Sequence, residues 1–192
     1  MEQVRAFIAI ELTAELKRAL ALIQSRLKTE SRSPVKWVEP DSTHLTLKFL
    51  GSVDSEKIEE ITSVMSTAAR GIGPFELELN GLGVFPGPRQ VHVIWVGLGG
   101  DLTRLGQLQQ RIETGLIPLG FTPESRAFSP HLTLARVRDN TTPGERQQLG
   151  RTVEGAQLMS AGSLHVDSVH LIRSQLTRQG AIYSRLRTVK LD

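Results

Sequence analysis

The tetrapeptide His-Leu-Thr-Leu occurs at 44–47 and again, 87 positions later, at 131–134. Alternation of this kind is a strand signature, and if the chain carries two related lobes the recurrence would set one copy in each. Side chains at i and i+2 share one face of a strand, so each His projects with its Thr while both leucines project to the opposite face. Each copy is then chemical on one side and core-forming on the other. Setting the two strands side by side brings two imidazoles and two hydroxyls around one point, the composition of a two-histidine acid–base site.

For either copy alone, chance or the β-propensity of Thr is a sufficient account. Two copies, each on a strand pattern and each with the same His-Thr spacing, favour function. Opening a cyclic phosphodiester needs a base for water and an acid for the leaving oxygen, and imidazole titrates near neutral pH. Thr hydroxyls and a cationic Arg suit the negative charge that spreads over the non-bridging oxygens. Metal ligation is the chemical rival. Neither motif offers a carboxylate or second His on its own strand face, and two imidazoles leave a catalytic zinc short of a ligand, so no metal is expected. A Gly-x-Ser-x-Gly elbow is absent, and the absence of Cys removes thiol nucleophiles, disulfides and cysteine metal sites together.

Around the motifs, Val4–Glu11 reads as a strand and Thr13–Leu27 as an amphipathic helix with Thr13 placed to cap it. Val35–Val38 and Thr43–Leu50 read as extended, with Gly51 ending the second, and Asp54–Arg70 as a helix. Phe75–Leu79 alternates like a strand, Gly81–Pro88 is turn-rich, and Gln90–Gly97 is a strand. Asp101 is placed to cap a helix over Asp101–Leu116. Phe128–Arg138 reads as a strand, Pro143–Gly150 as a short polar helix, and Leu164–Ser174 and Ala181–Val189 as closing strands. Grouped strands without a regular parallel alternation indicate an α+β fold with antiparallel sheets.

Lys and Arg number 23 against 20 Asp and Glu, a net charge of +3. That bias is compatible with an anionic ligand but equally with a solvated basic surface. No apolar run approaches the roughly 20 residues needed to span a bilayer, and Met1–Arg5 lacks the pattern of a signal peptide. A cytoplasmic location without membrane association is therefore expected.

These residues resemble the two-histidine phosphoesterase superfamily, and within it the RNA 2′,3′-cyclic phosphodiesterases formerly described as 2′-5′ RNA ligases. The likeness is carried by Val4–Glu11, Trp37-Val38, His44–Gly51 (HLTLKFLG), Gly83–Pro86 (GVFP), Val93–Gly97, the second motif with Ala135-Arg136, and Leu171–Leu186. It implies one bilobal, pseudo-symmetric domain over residues 1–192, with antiparallel sheets and flanking helices around a central cleft. It implies hydrolysis of 2′,3′-cyclic phosphate ends of RNA, or of cyclic nucleotides, to 2′-phosphomonoesters, without cofactor; a monomer is expected, though the sequence does not show oligomeric state. On the same basis His44 is the proton donor, His131 the proton acceptor, Thr46 and Thr133 hold phosphate oxygens, and Arg136 adds charge. The duplicated motif is symmetric in content, so the division of roles comes from the resemblance alone. Alternatives are 2′-5′ ligation as the main activity and an RNA-end-binding module without turnover.

In a regular strand Arg136 has the parity of Leu132 and Leu134 and would face away from His131, whereas Lys48 shares the parity of His44 and Thr46. Either a bulge after Leu134 re-aims Arg136 or Lys48 is the phosphate partner; Arg136 is taken as the substrate cation. Phe85, in its Gly/Pro-rich loop, is a candidate for stacking on a nucleobase, as is Trp37 more weakly, and Arg89 for the RNA backbone. His92, His165 and His170 lack a Thr partner and read as structural or exposed. Tyr183 reads as a sheet anchor.

Overall fold

The computed structural model describes residues 2–31, 34–156, 158, 162–178 and 180–192. The chain forms β1 (Gln3–Glu11), α1 (Ala14–Glu30), β2 (Val35–Trp37), β3 (His44–Asp54), α2 (Ile58–Ala69), β4 (Phe75–Phe85), β5 (Val93–Gly100), α3 (Leu102–Leu116), β6 (His131–Val137), α4 (Pro143–Gly155), β7 (Ser163–Val166), β8 (Ser168–Thr177) and β9 (Gly180–Lys190). Two antiparallel sheets result, ordered β3-β1-β8-β9 and β2-β6-β5-β4-β7. This is the expected α+β class. The motif strands β3 and β6 lie in different sheets and touch across the junction between them.

The core follows from strand patterning. Strand β1 lies between β3 and β8, and Ala6 through Ile10 are all buried. Its even positions Ala6, Ile8 and Ile10 enter the main core with Leu45, Leu47, Leu132 and Leu134, so the leucines of both motifs meet one continuous apolar interior. The odd positions Phe7 and Ala9 form a smaller cluster with Ile172 and Tyr183 on the opposite face. Helices cover the core side. Thr13 and Asp101 cap α1 and α3 through the amides of Leu16 and Arg104, as their positions suggested.

Four sequence expectations change. Helix α4 runs five residues beyond Gly150 because Leu149 and Val153 are buried on one face, and a Thr142/Glu145 capping box starts it. Buried Arg146 anchors it by donating to the carbonyls of Val91, Thr141 and Arg138. Strand β4 does not stop at Leu79. Asn80 and Gly81 form a bulge, with Gly81 at φ +75°, and pairing with β5 resumes at Leu82. Likewise Gly51, at φ +73°, lies within β3 and lets it continue to Asp54. The strand expected over Leu164–Ser174 is two strands in different sheets, divided at Asp167. Asp167 accepts from Ser168 and Lys190 through its carboxylate and from the Leu191 amide through its carbonyl.

Candidate active site

Each motif strand carries the same irregularity. In the β1–β3 pair Ala9 opposes Thr46 and Ile8 opposes Lys48, leaving Leu47 as an extra residue. In the β5–β6 pair Trp95 opposes Thr133 and Ile94 opposes Ala135, leaving Leu134 as the extra residue. A bulge inverts the facing of the residues beyond it. Lys48 therefore turns to the core side, where it is 9% exposed and bonds Glu113 at 2.5 Å and the Thr122 carbonyl at 2.8 Å. Arg136 turns out to the face of His131 and Thr133 and is exposed. Simple parity pointed to Lys48; the bulge overrides it.

The bulges are held by side-chain amides. Gln24 of α1, 3% exposed, donates to the Leu134 carbonyl at 3.0 Å and to that of Val38 at 2.6 Å. Gln109 of α3 reaches the Leu47 carbonyl at 3.5 Å. A helix from each half thus supports the motif strand of the other sheet.

With the bulges in place, the two faces correspond row by row. On β3, His44, Thr46 and Phe49 lie opposite Glu11, Ala9 and Phe7 of β1. On β6, His131, Thr133 and Arg136 lie opposite Gly97, Trp95 and Val93 of β5. Phe49 thus occupies in one lobe the place Arg136 holds in the other, and its ring is 71% exposed. Its register partner Phe7 has its ring centroid 6.0 Å away. Across β2 and β6, Lys36 faces Arg136. Both are exposed, and among the described residues neither has an anionic partner.

The imidazoles are fixed in the same way. His44 Nδ1 lies 3.1 Å from the Ser42 carbonyl and His131 Nδ1 lies 2.7 Å from the Ser129 carbonyl. A carbonyl only accepts, so each Nδ1 carries the hydrogen and each Nε2 is left to take or give a proton. Aromatic edges and faces hold the rings. His44 meets Tyr183 and Phe7 at 5.1 and 5.6 Å in T-shaped contacts, and His131 meets Phe85 at 5.0 Å and Trp95 at 6.3 Å. Trp95 covers Gly83 so closely that a Cβ there would fall 2.2 Å from the indole. The Thr46 and Thr133 hydroxyls share these faces, half-buried, and among the described residues neither bonds to protein.

Burial pushes the His44 pKa below its usual value, opposed first by Glu11 and then by the bond to Ser42, and aided by Lys17 and His170. Glu11 accepts from Nε of Arg185 at 3.1 Å and from its Nη2, and that pairing holds its carboxyl below the usual range. Among the described residues no three His, Asp or Glu side chains converge as a metal site.

Of the other candidates, Phe85 lies at the site beside His131. Trp37 packs against the main core with Lys28 5.2 Å over its ring. Phe85 is half-buried against His131 and Trp95, and Arg89 is exposed. His92 and His165 are exposed, and His170 is buried near Thr188 and Ser168. Sequence reading missed Phe49, Glu11 and the two glutamines, and set Tyr183 aside as a sheet anchor. Aligning HLTLKF with HLTLAR would have flagged Phe49; the others depend on cross-strand register and helix docking.

Two antiparallel sheets that each contribute one His-x-Thr strand define a two-lobed α+β phosphoesterase fold. The chain belongs to the family described as LigT like Phosphoesterase, whose model matches residues 10–95 and 100–183. It is 38% identical to the RNA 2′,3′-cyclic phosphodiesterase of Methanothermobacter thermautotrophicus over 98% of this chain and 100% of that protein. It is 32% identical to the protein of the same name from Aquifex aeolicus, over 96% of this chain and 95% of that one. The crystal structure of E. coli LigT complexed with 3′-AMP superimposes with a TM-score of 0.76 at 27% identity, covering 99% of both chains. Among the described residues no helix is long and apolar enough to cross a membrane.

Proposed function

We propose that this protein hydrolyses 2′,3′-cyclic phosphate ends of RNA to 2′-phosphomonoesters, with His44 as acid and His131 as base. The observation that carries the reading is the matched anchoring of the two imidazoles: each Nδ1–H is committed to the carbonyl two residues upstream, leaving Nε2 for the reaction. Relatives covering nearly the whole chain bear the name of that activity. In this reading His131 Nε2 accepts a proton from water as its oxygen bonds to phosphorus. The bond from phosphorus to the 3′ oxygen breaks, and that oxygen takes the proton from His44 Nε2. The imidazoles end with exchanged protonation and reset through solvent. No metal or cofactor takes part.

Charge developing on the non-bridging oxygens meets the Thr46 and Thr133 hydroxyls and Arg136. Like charges directly opposite on a sheet repel, so the exposed Lys36–Arg136 pair suits a site that receives an anion. Phe49, beside Phe7, offers a platform for a nucleobase, while Phe85 supports His131.

The test is incubation with a 2′,3′-cyclic-phosphate oligonucleotide and a 5′-hydroxyl acceptor, followed by product analysis. A 2′-phosphomonoester as main product supports hydrolysis. A 2′-5′ linked product in excess would make ligation the main activity, and binding without turnover would leave an RNA-end-binding module.

A further inference from the structure

We propose that Glu11, held by Arg185, makes the two motif histidines unequal: it faces His44 across the β1–β3 pair and favours that imidazole as proton donor, a partner that Gly97 denies to His131. The inference rests on the acid and base assignment proposed above and supplies a physical cause for it. The motifs themselves are identical in sequence, so the difference has to lie in their surroundings.

The register locates it. In each sheet the strand beside the motif strand places one residue directly opposite the motif histidine, and directly opposed side chains share a face. That residue is Glu11 for His44 and Gly97 for His131. The second position is closed to a side chain. A Cβ on Gly97 would come 2.5 Å from the Asn80 carbonyl oxygen, because the β4 bulge presses its backbone against Gly97. An anion can therefore stand across from one histidine but not from the other without moving the sheet.

Glu11 is built to keep its charge and position. Its side chain is 30% exposed, and the Arg185 fork from β9 takes both carboxylate oxygens, a geometry that restrains rotation and favours the ionised form. The Ser42 carbonyl also favours the protonated ring, but His131 has the matching bond to Ser129, so this does not distinguish the two; the charged groups around His44 other than Glu11 oppose its protonation. Lys17 of α1 and His170 of β8 act against the cation, while Phe7 of β1 and Tyr183 of β9 contribute rings. Glu11 is thus the anion that opposes them, and it counters part of the effect of burial, which still leaves the His44 pKa below its usual value. It acts through His44 as a positioning residue.

Glu11→Gln keeps the shape and removes the charge; Glu11→Asp keeps the charge. Histidine ring titrations by NMR are read beside the pH dependence of kcat/KM on a 2′,3′-cyclic nucleotide. In Glu11→Gln the His44 titration should move to lower pH, and the alkaline limb of kcat/KM should move to lower pH with it. The sign is set by the donor role, because a general acid works only below its pKa. Glu11→Asp should restore much of both. An unmoved His44 titration in a folded Glu11→Gln protein would overturn the coupling, and displacement of the acidic limb instead would overturn the donor role. The titrations need no turnover: a shifted His44 in a protein without hydrolytic activity supports the coupling and rejects the proposed reaction.

Discussion

The side-chain amide of Gln24 on α1 donates at 3.0 Å to the carbonyl of Leu134, the residue that bulges from β6. The Val38 amide reaches the same oxygen at 2.9 Å, so the carbonyl of the bulged residue is satisfied twice. This contact links the core to the site, because the bulge at Leu134 is what turns Arg136 toward His131.

Replacing Gln24 should therefore affect stability and activity together. Gln24→Leu leaves the bulge carbonyl with one donor fewer in a buried setting, which should cost about 1–3 kcal/mol, read by denaturant unfolding. If Arg136 is re-aimed, KM for a cyclic-phosphate substrate should rise. A stable Gln24→Leu protein with unchanged KM would show that the bulge persists without it.

Arg136 and Lys48 separate along the same line. Arg136→Ala should leave stability nearly unchanged and lower kcat/KM by about 100-fold, the effect of losing a group that meets transition-state charge. Lys48→Ala removes the cation from largely buried Glu113, leaving it the Glu124 amide and Gln109 as donors, and should destabilise by about 3 kcal/mol, with modest loss of activity in the protein that remains folded. The opposite pattern would return the phosphate contact to Lys48.

Phe49→Ala removes an exposed ring, so the fold should tolerate it. Base stacking contributes about 1–3 kcal/mol, and KM for an oligonucleotide or cyclic nucleotide should rise roughly tenfold with kcat little changed. Phe49→Trp should retain affinity. Unaltered KM in Phe49→Ala would place the nucleobase elsewhere.

Much of this arrangement is legible in the letters. Strand parity alone places His44 with Thr46 and His131 with Thr133, and the leucines between them mark the core face. The facing of the residues after each motif is not legible, since a bulge depends on a buried glutamine from a distant helix, and nothing local announces that Gln24 or Gln109 will dock there. Strand β4 reads short for a related reason: Asn80-Gly81 has turn composition, yet here it bulges opposite Gly97 within a continuing strand. Glu11 lies in a run that reads simply as a strand, and only the pairing register shows that it faces His44.

The central claim is that two imidazoles divide one proton-transfer reaction between them. The most direct measurement is hydrolysis of a 2′,3′-cyclic-phosphate oligonucleotide in EDTA by wild type, His44→Ala and His131→Ala, each verified as folded. Wild type should yield the 2′-phosphomonoester with chelator present, and each substitution should lower kcat by about 100- to 10,000-fold. Near wild-type turnover by either variant, or loss of wild-type activity in EDTA that returns on adding a divalent metal, would contradict the account.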